Sequence, residues 1–161
     1  MTAPAASEGV FLTPAAVLEH WQGHRRLTRR VIALFPEDQL FTFSLGGMRT
    51  FGVLAQELLQ MAGPTVEGIA KGSWSDFKPV ETSARAEILR LWDESTVSMN
   101  QYWPTIPADR FHEMTKAFGQ YEGRTNDLIM YVIDNEVHHR GQGYVYLRAL
   151  GIEPPPFWER Q

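Results

Sequence analysis

Residues 124–156, RTNDLIMYVIDNEVHHRGQGYVYLRALGIEPPP, contain the longest unbroken helical pattern in the chain. Leu128, Val132, Asn135, His139, Gln142 and Tyr146 recur at steps of three and four, which places them on one face of a helix running from about Arg124 to Leu150. Gly151 supplies the stop, and Pro154-Pro155-Pro156 bars any continuation. The face is apolar at both ends and polar in its middle. It carries a carboxamide and an imidazole toward a core.

Reading outward from this helix gives three more. Thr13-Pro14 is a start signal, because Thr caps free backbone N–H groups and Pro at the first helical position gives up no bond. Val17, Trp21, His24, Leu27 or Thr28, Val31 and Leu34 then follow at helical spacing up to Pro36, with Arg25, Arg26, Arg29 and Arg30 on the opposite side. PEDQLFTFSLGGM (36–48) reads as a connector. Helix 2 is expected from about Thr50 to Met61, with Leu54, Leu58 and Met61 inward and Gly63-Pro64 as its stop. A link of roughly 20 residues, long enough for parallel neighbours, leads to helix 3 and its stripe of Ile88, Leu91, Trp92, Ser95, Met99 and Tyr102. Residues 103–123 read as irregular, residues 1–10 as loosely ordered and residues 152–161 as a tail packed on the helices. No internal repeat appears, and the expectation is one all-α domain over residues 1–161.

Composition narrows the function. The chain has 161 residues, 43% hydrophobic and 21% charged, enough for one substantial core. Its 15 basic and 19 acidic side chains give a formal charge of −4, which disfavours nucleic acid as a partner. The absence of cysteine removes disulfides, thiolate nucleophiles and Cys-based zinc sites. No apolar run approaches a membrane span and MTAPAASEGVFLTP lacks a basic leader, so a cytoplasmic protein with no membrane partner is expected.

The chemistry concentrates on the polar residues of core faces. Glu57 stands three residues after Leu54 and four before Met61, so its carboxylate points inward and needs a partner. His139 is the first candidate. Glu57, Asn135 and His139 converging from two helices would suit a divalent ion such as zinc, nickel or iron. They would equally make a closed hydrogen-bond network that fixes helix register and binds nothing. His20 and His24, one turn apart, are candidates for further ligands or a proton relay, although a core histidine beside a surface one explains them as well. His138 points about 100° away from His139, and His112 has no evident partner. Arg140 and Gln142 are the candidates for substrate contact. The run HRRLTRR reads first as a solvated basic surface paired with acidic neighbours. No glycine-rich phosphate loop is present, since SLGGM and AKGSW lack the spacing and the strand.

The run His138-His139-Arg140-Gly141-Gln142, followed by Leu147-Arg148 and Gly151, resembles the last-helix signature of the DinB/YfiT-like family. MRTFGVLAQELLQMAG is similar to the family's second helix, with Glu57 at its ligand position. The resemblance implies an up-down-down-up four-helix bundle, a homodimer, and a divalent metal held by three histidines, one from helix 2 and two from a His-x-x-x-His on the last helix. It also implies chemistry like that of thiol-dependent transferases acting on small molecules, and a link to stress or DNA damage. The sequence departs from this pattern at two ligands: Asn135 stands for the first histidine of the last-helix pair and Glu57 for the helix-2 histidine. Two functions are therefore expected from different classes. One is a metal-assisted enzyme working on a small-molecule substrate through Glu57, Asn135 and His139. The other is a metal-free binding or structural scaffold in which the former ligand positions have become structural.

Overall fold

The computed structural model describes residues 11–161, so the expectation for residues 1–10 lies outside the described residues. Four helices carry most of the structure: α1 (Pro14–Leu34), α2 (Phe51–Lys71), α3 (Arg85–Tyr102) and α4 (Thr125–Ala149). A two-stranded antiparallel hairpin, β1 (Met114–Ala117) and β2 (Tyr121–Arg124), precedes α4. α1 starts where expected, the Thr13 hydroxyl accepting from the Ala16 N–H at 3.1 Å. α4 ends in a Schellman arrangement: Gly151 is left-handed (φ 75°), and the Ile152 N–H reaches the Leu147 carbonyl at 2.8 Å.

Two expectations are corrected. Helix 2 does not stop at Gly63-Pro64 but continues to Lys71, with Gly72 (φ 67°) as its left-handed cap. Pro64 lies on the exposed side, where water can satisfy the carbonyl that loses its N–H partner, and Ala62, Val66 and Ile69 bury the extra turns. Gly63 serves close approach instead: a Cβ there would stand 2.9 Å from the Ser95 Oγ on α3. The second correction is the hairpin, which makes the protein mostly helical rather than all-α. Its turn uses two successive left-handed residues, Phe118 (φ 53°) and Gly119 (φ 68°). Only Gly119 announces such a turn in sequence, because a bulky side chain disfavours that conformation.

α2 packs chiefly against α3 and α4, and α1 against α4 and α3, while α1 and α2 barely meet. Apolar side chains form two clusters. One holds Val31, Phe35, Phe51, Leu58, Trp92 and Tyr146; the other holds Trp21, Val66, Ile69, Met99, Trp103 and Ile133. Along α1 the buried Arg25 and Thr28 fall between these clusters, and along α4 Glu136 and Arg140 do the same. A polar layer thus separates two apolar ones. The final residues lie on α1, where Arg26 donates to the Arg160 carbonyl at 2.9 Å and Arg30 to that of Glu159 at 3.0 Å.

Close packing of α4 on α2 depends on Gly143, where a Cβ would fall 2.5 Å from the Phe51 ring. Gly143→Ala is therefore expected to destabilise the protein by about 1–3 kcal/mol, despite its gain in helix propensity. Urea unfolding of the variant checks this, and an unchanged or raised midpoint would contradict it.

Candidate functional site

α2 and α4 face each other with their polar residues in register. Glu57 Oε1 accepts from Asn135 Nδ2 at 3.1 Å and from His139 Nε2 at 3.0 Å. Its other oxygen accepts from Arg49, at the start of α2. His139 Nδ1 meets Gln142 Oε1 at 2.7 Å, one turn along α4. Asn135 Nδ2 also lies 3.3 Å from Met61 Sδ. His139 is buried, whereas the Glu57 side chain keeps 29% of its exposure. Burial alone would push the Glu57 carboxyl up, but hydrogen bonds from Arg49, Asn135 and His139 outweigh it and hold the group below the usual carboxylate range.

Beyond Glu57 opens a cleft of about 890 Å³. Val53 and Met61 of α2 and Leu128 and Tyr131 of α4 form its sides, and Phe77 and Phe118 enter from the α2–α3 link and the hairpin turn. Arg49 and Glu57 both line it. The link is tied in place by Trp74, whose indole N–H donates to Thr115 at 2.9 Å, and Arg110 ties the end of α2 through the Ile69 carbonyl at 2.8 Å.

The other candidates go elsewhere. Among the described residues, His20 and His24 make no hydrogen bond to Glu57, Asn135 or His139. His24 Nδ1 accepts from Arg140 at 2.9 Å, and its Nε2 lies 3.1 Å from both His20 Nε2 and Arg160 Nη1. Burial first, then Arg140, His20 and Arg160, lower its pKa from 6.5 to about 3. Arg140 is buried against α1, donating to Thr28 Oγ1 and the His24 carbonyl at 3.2 Å each, and does not line the cleft. Gln142 reaches the site only through His139. His112 and His138 are exposed. Of the basic face, Arg26, Arg29 and Arg30 pair with Glu19, Asp93 and Glu159 as a solvated surface would, but Arg25 is a correction. It is 1% exposed, donates to Thr96 and the Trp92 carbonyl, and stacks 4.3 Å over the Trp92 ring.

Sequence reasoning missed Glu136. It accepts from Thr28 Oγ1 at 2.7 Å and Trp21 Nε1 at 3.1 Å and is 1% exposed. Burial raises its pKa; Arg25, Thr28, Trp21 and Arg140 pull the other way. Its signal was present as a second stripe beside the one that was followed, since Ile129, Ile133, Glu136, Arg140, Gly143 and Leu147 are also spaced by three and four. In sequence, Glu136 and Arg140 look like a surface i, i+4 pair.

Fold and site together describe a mostly helical protein with two separate polar networks on neighbouring faces of its last helix, one of them opening on a cleft. The family model for the DinB family matches residues 8–161, and the chain belongs to that family. It is 25% identical over 149 residues to the uncharacterized protein YjoA of Bacillus subtilis (strain 168), covering 90% of this chain and 96% of that one. Its fold is similar to the crystal structure of a DinB-like protein from Bacillus cereus ATCC 10987 (TM-score 0.72, 18% identity, 91% and 99% of the two chains). A crystal structure of YjoA from Bacillus subtilis agrees equally (TM-score 0.72, 16% identity, 90% and 99%).

The residues present fit the metal implied by the family resemblance poorly. No three His, Cys, Asp or Glu side chains gather at one point among the described residues. Asn135 turns its NH₂ to Glu57, and carboxamides are weak ligands for transition metals. The Arg49 guanidinium already supplies the positive charge that the Glu57 carboxylate requires.

Two expected outcomes follow from the networks. Glu136→Ala would leave the buried indole N–H of Trp21 and hydroxyl of Thr28 without their acceptor, and Arg25 and Arg140 without the carboxylate charge that balances them, at a cost of about 3–5 kcal/mol. Glu136→Gln, which keeps the shape and one acceptor, should lose less; equal losses in urea unfolding would contradict this account. Glu57 and His24 both have folded pKa values below their unfolded ones, so the folded state binds fewer protons and acid weakens it. The His24 contribution is complete above pH 6.5 and declines as pH falls toward 3; that of Glu57 declines below 4.5. His24→Gln should flatten the stability profile between those upper limits, as measured by denaturant midpoints across pH. An unaltered slope would argue against a neutral His24.

Proposed function

We propose that this DinB-family chain is a metal-independent binding protein for small organic molecules. In this reading its four helices form an up-down-down-up bundle, and the cleft between α2 and α4 is the ligand site. The observation that carries it is the state of Glu57. Its carboxylate is held by a guanidinium, an amide and an imidazole on the wall of a large cleft, so its charge is satisfied without an ion. Satisfied polar groups beside apolar and aromatic walls are what orient a ligand in a preformed pocket. The parallel placement of α2 and α3 is supported by the extended link between them, residues 72–84.

Elemental analysis of tag-free protein, purified without a metal column, is expected to find no near-stoichiometric metal, and a chelator should leave the melting temperature unchanged. Near-stoichiometric metal lost in His139→Ala, with a chelator-induced drop of several degrees, would overturn the reading. A fragment screen followed by ligand-detected NMR should give binders that Val53→Trp, which fills the cleft, displaces. Binders indifferent to that substitution would place the site elsewhere.

A further inference from the structure

We infer that the ligand of the cleft is an organic cation, a small molecule bearing an alkylated ammonium group. The inference rests on the cleft being the ligand site and adds the chemistry that the site reads.

The walls supply the first argument. Phe77, Phe118, Tyr121 and Tyr131 reach the cleft from four different elements: the α2–α3 link, the hairpin turn, β2 and α4. Three of them keep much of their surface open, with Phe77 50%, Tyr121 63% and Tyr131 61% exposed. Phe118 adopts a left-handed backbone that bulky residues avoid (φ 53°), and this sets its ring 5.1 Å from Trp74 and 6.1 Å from Phe77. The faces of such rings carry negative charge density, and each one that meets a desolvated cation attracts it. Several rings around one pocket form the arrangement that recognises quaternary and alkylated ammonium groups.

Charge supplies the second argument. The charged side chains lining the cleft are Arg49, Glu57 and Glu122. Arg49 and Glu57 are committed to each other. Glu122 forms no ion pair with any described residue; Lys116 stands opposite it across the hairpin without closing to one. At its exposed rim the cleft therefore offers one carboxylate that is not held in an ion pair, Glu122, with Lys116 beside it across the hairpin. An anionic ligand would face Glu122 with the guanidinium already engaged, and a neutral one would gain nothing from that carboxylate. A cation satisfies both the rings and the charge, and the chain as a whole, at −4, adds attraction.

The test compares two molecules of the same shape, acetylcholine and its neutral carbon isostere 3,3-dimethylbutyl acetate, by titration calorimetry. The cation is expected to bind about ten-fold tighter or more, a margin that Glu122→Gln and Tyr131→Ala each reduce several-fold. Both residues are exposed at the cleft, so neither substitution touches the core. Val53→Trp should abolish the binding. Equal affinity of the two probes, with both lost in Val53→Trp, would overturn the cation while leaving the cleft as the ligand site. Tighter binding of phenylacetate would overturn it by sign. Probe binding that survives Val53→Trp would overturn both the cation and the cleft. If no charged or neutral probe binds, the cation falls, and the fragment screen then decides on the cleft.

Discussion

A carboxylate almost wholly removed from water sits between two apolar layers, and the arrangement of α1 against α4 answers to it. Glu136 cannot be left alone there: an unpaired buried charge costs several kcal/mol, more than most single contacts return. Trp21 and Thr28 supply its hydrogen bonds, and Arg25 and Arg140 its counter-charge. Every one of these groups has a fixed height along its helix. Apolar contacts tolerate a sliding helix because methyl groups are interchangeable, but hydrogen bonds between named atoms do not. The polar layer accordingly sets the register of the two helices, and the apolar clusters on either side supply the bulk of the burial.

α4 divides its polar residues between two neighbours. Glu136 and Arg140 turn toward α1, while Asn135 and His139, each one position earlier, turn toward α2. A step of one residue rotates a side chain by about 100°, so adjacent residues serve different interfaces. This explains why the histidines of α1 do not join Glu57. His24 belongs to the Arg140 side of α4, and the imidazole that reaches Glu57 is on the other. The network toward α1 buries Glu136, Thr28 and Arg140 and comes to the surface at His20 and Arg160, away from the cleft. The one toward α2 meets the cleft, and it is there that polar atoms can both hold the fold and touch a ligand.

Much of this was legible in the amino-acid order. The four helices, the cap at Thr13, the stop at Gly151 and the inward direction of Glu57, Asn135 and His139 all follow from spacing and from the chemistry of caps. What escaped did so for identifiable reasons. Gly63-Pro64 carries the composition of a helix stop, yet tertiary burial of Val66 and Ile69 extends the helix through it. The hairpin is short, and its turn places a phenylalanine where glycine or asparagine would be expected. Arg25 looks like one arginine among four, and only the indole of Trp92 on another helix makes it an interior residue. The aromatic walls of the cleft come from elements far apart in the chain, a convergence that no local pattern encodes.

The bond between Thr28 and Glu136 spans 108 positions. A contact of that separation forms only after a large loop has closed, so it comes late compared with the helices themselves. On the ribosome, α1 emerges long before the segment carrying its counter-charge has been made. During that interval Arg25 remains hydrated and α1 is a basic helix with one apolar stripe and no cover. The order of synthesis thus exposes, for a time, the side of α1 around Trp21, Arg25 and Thr28 that the finished protein buries.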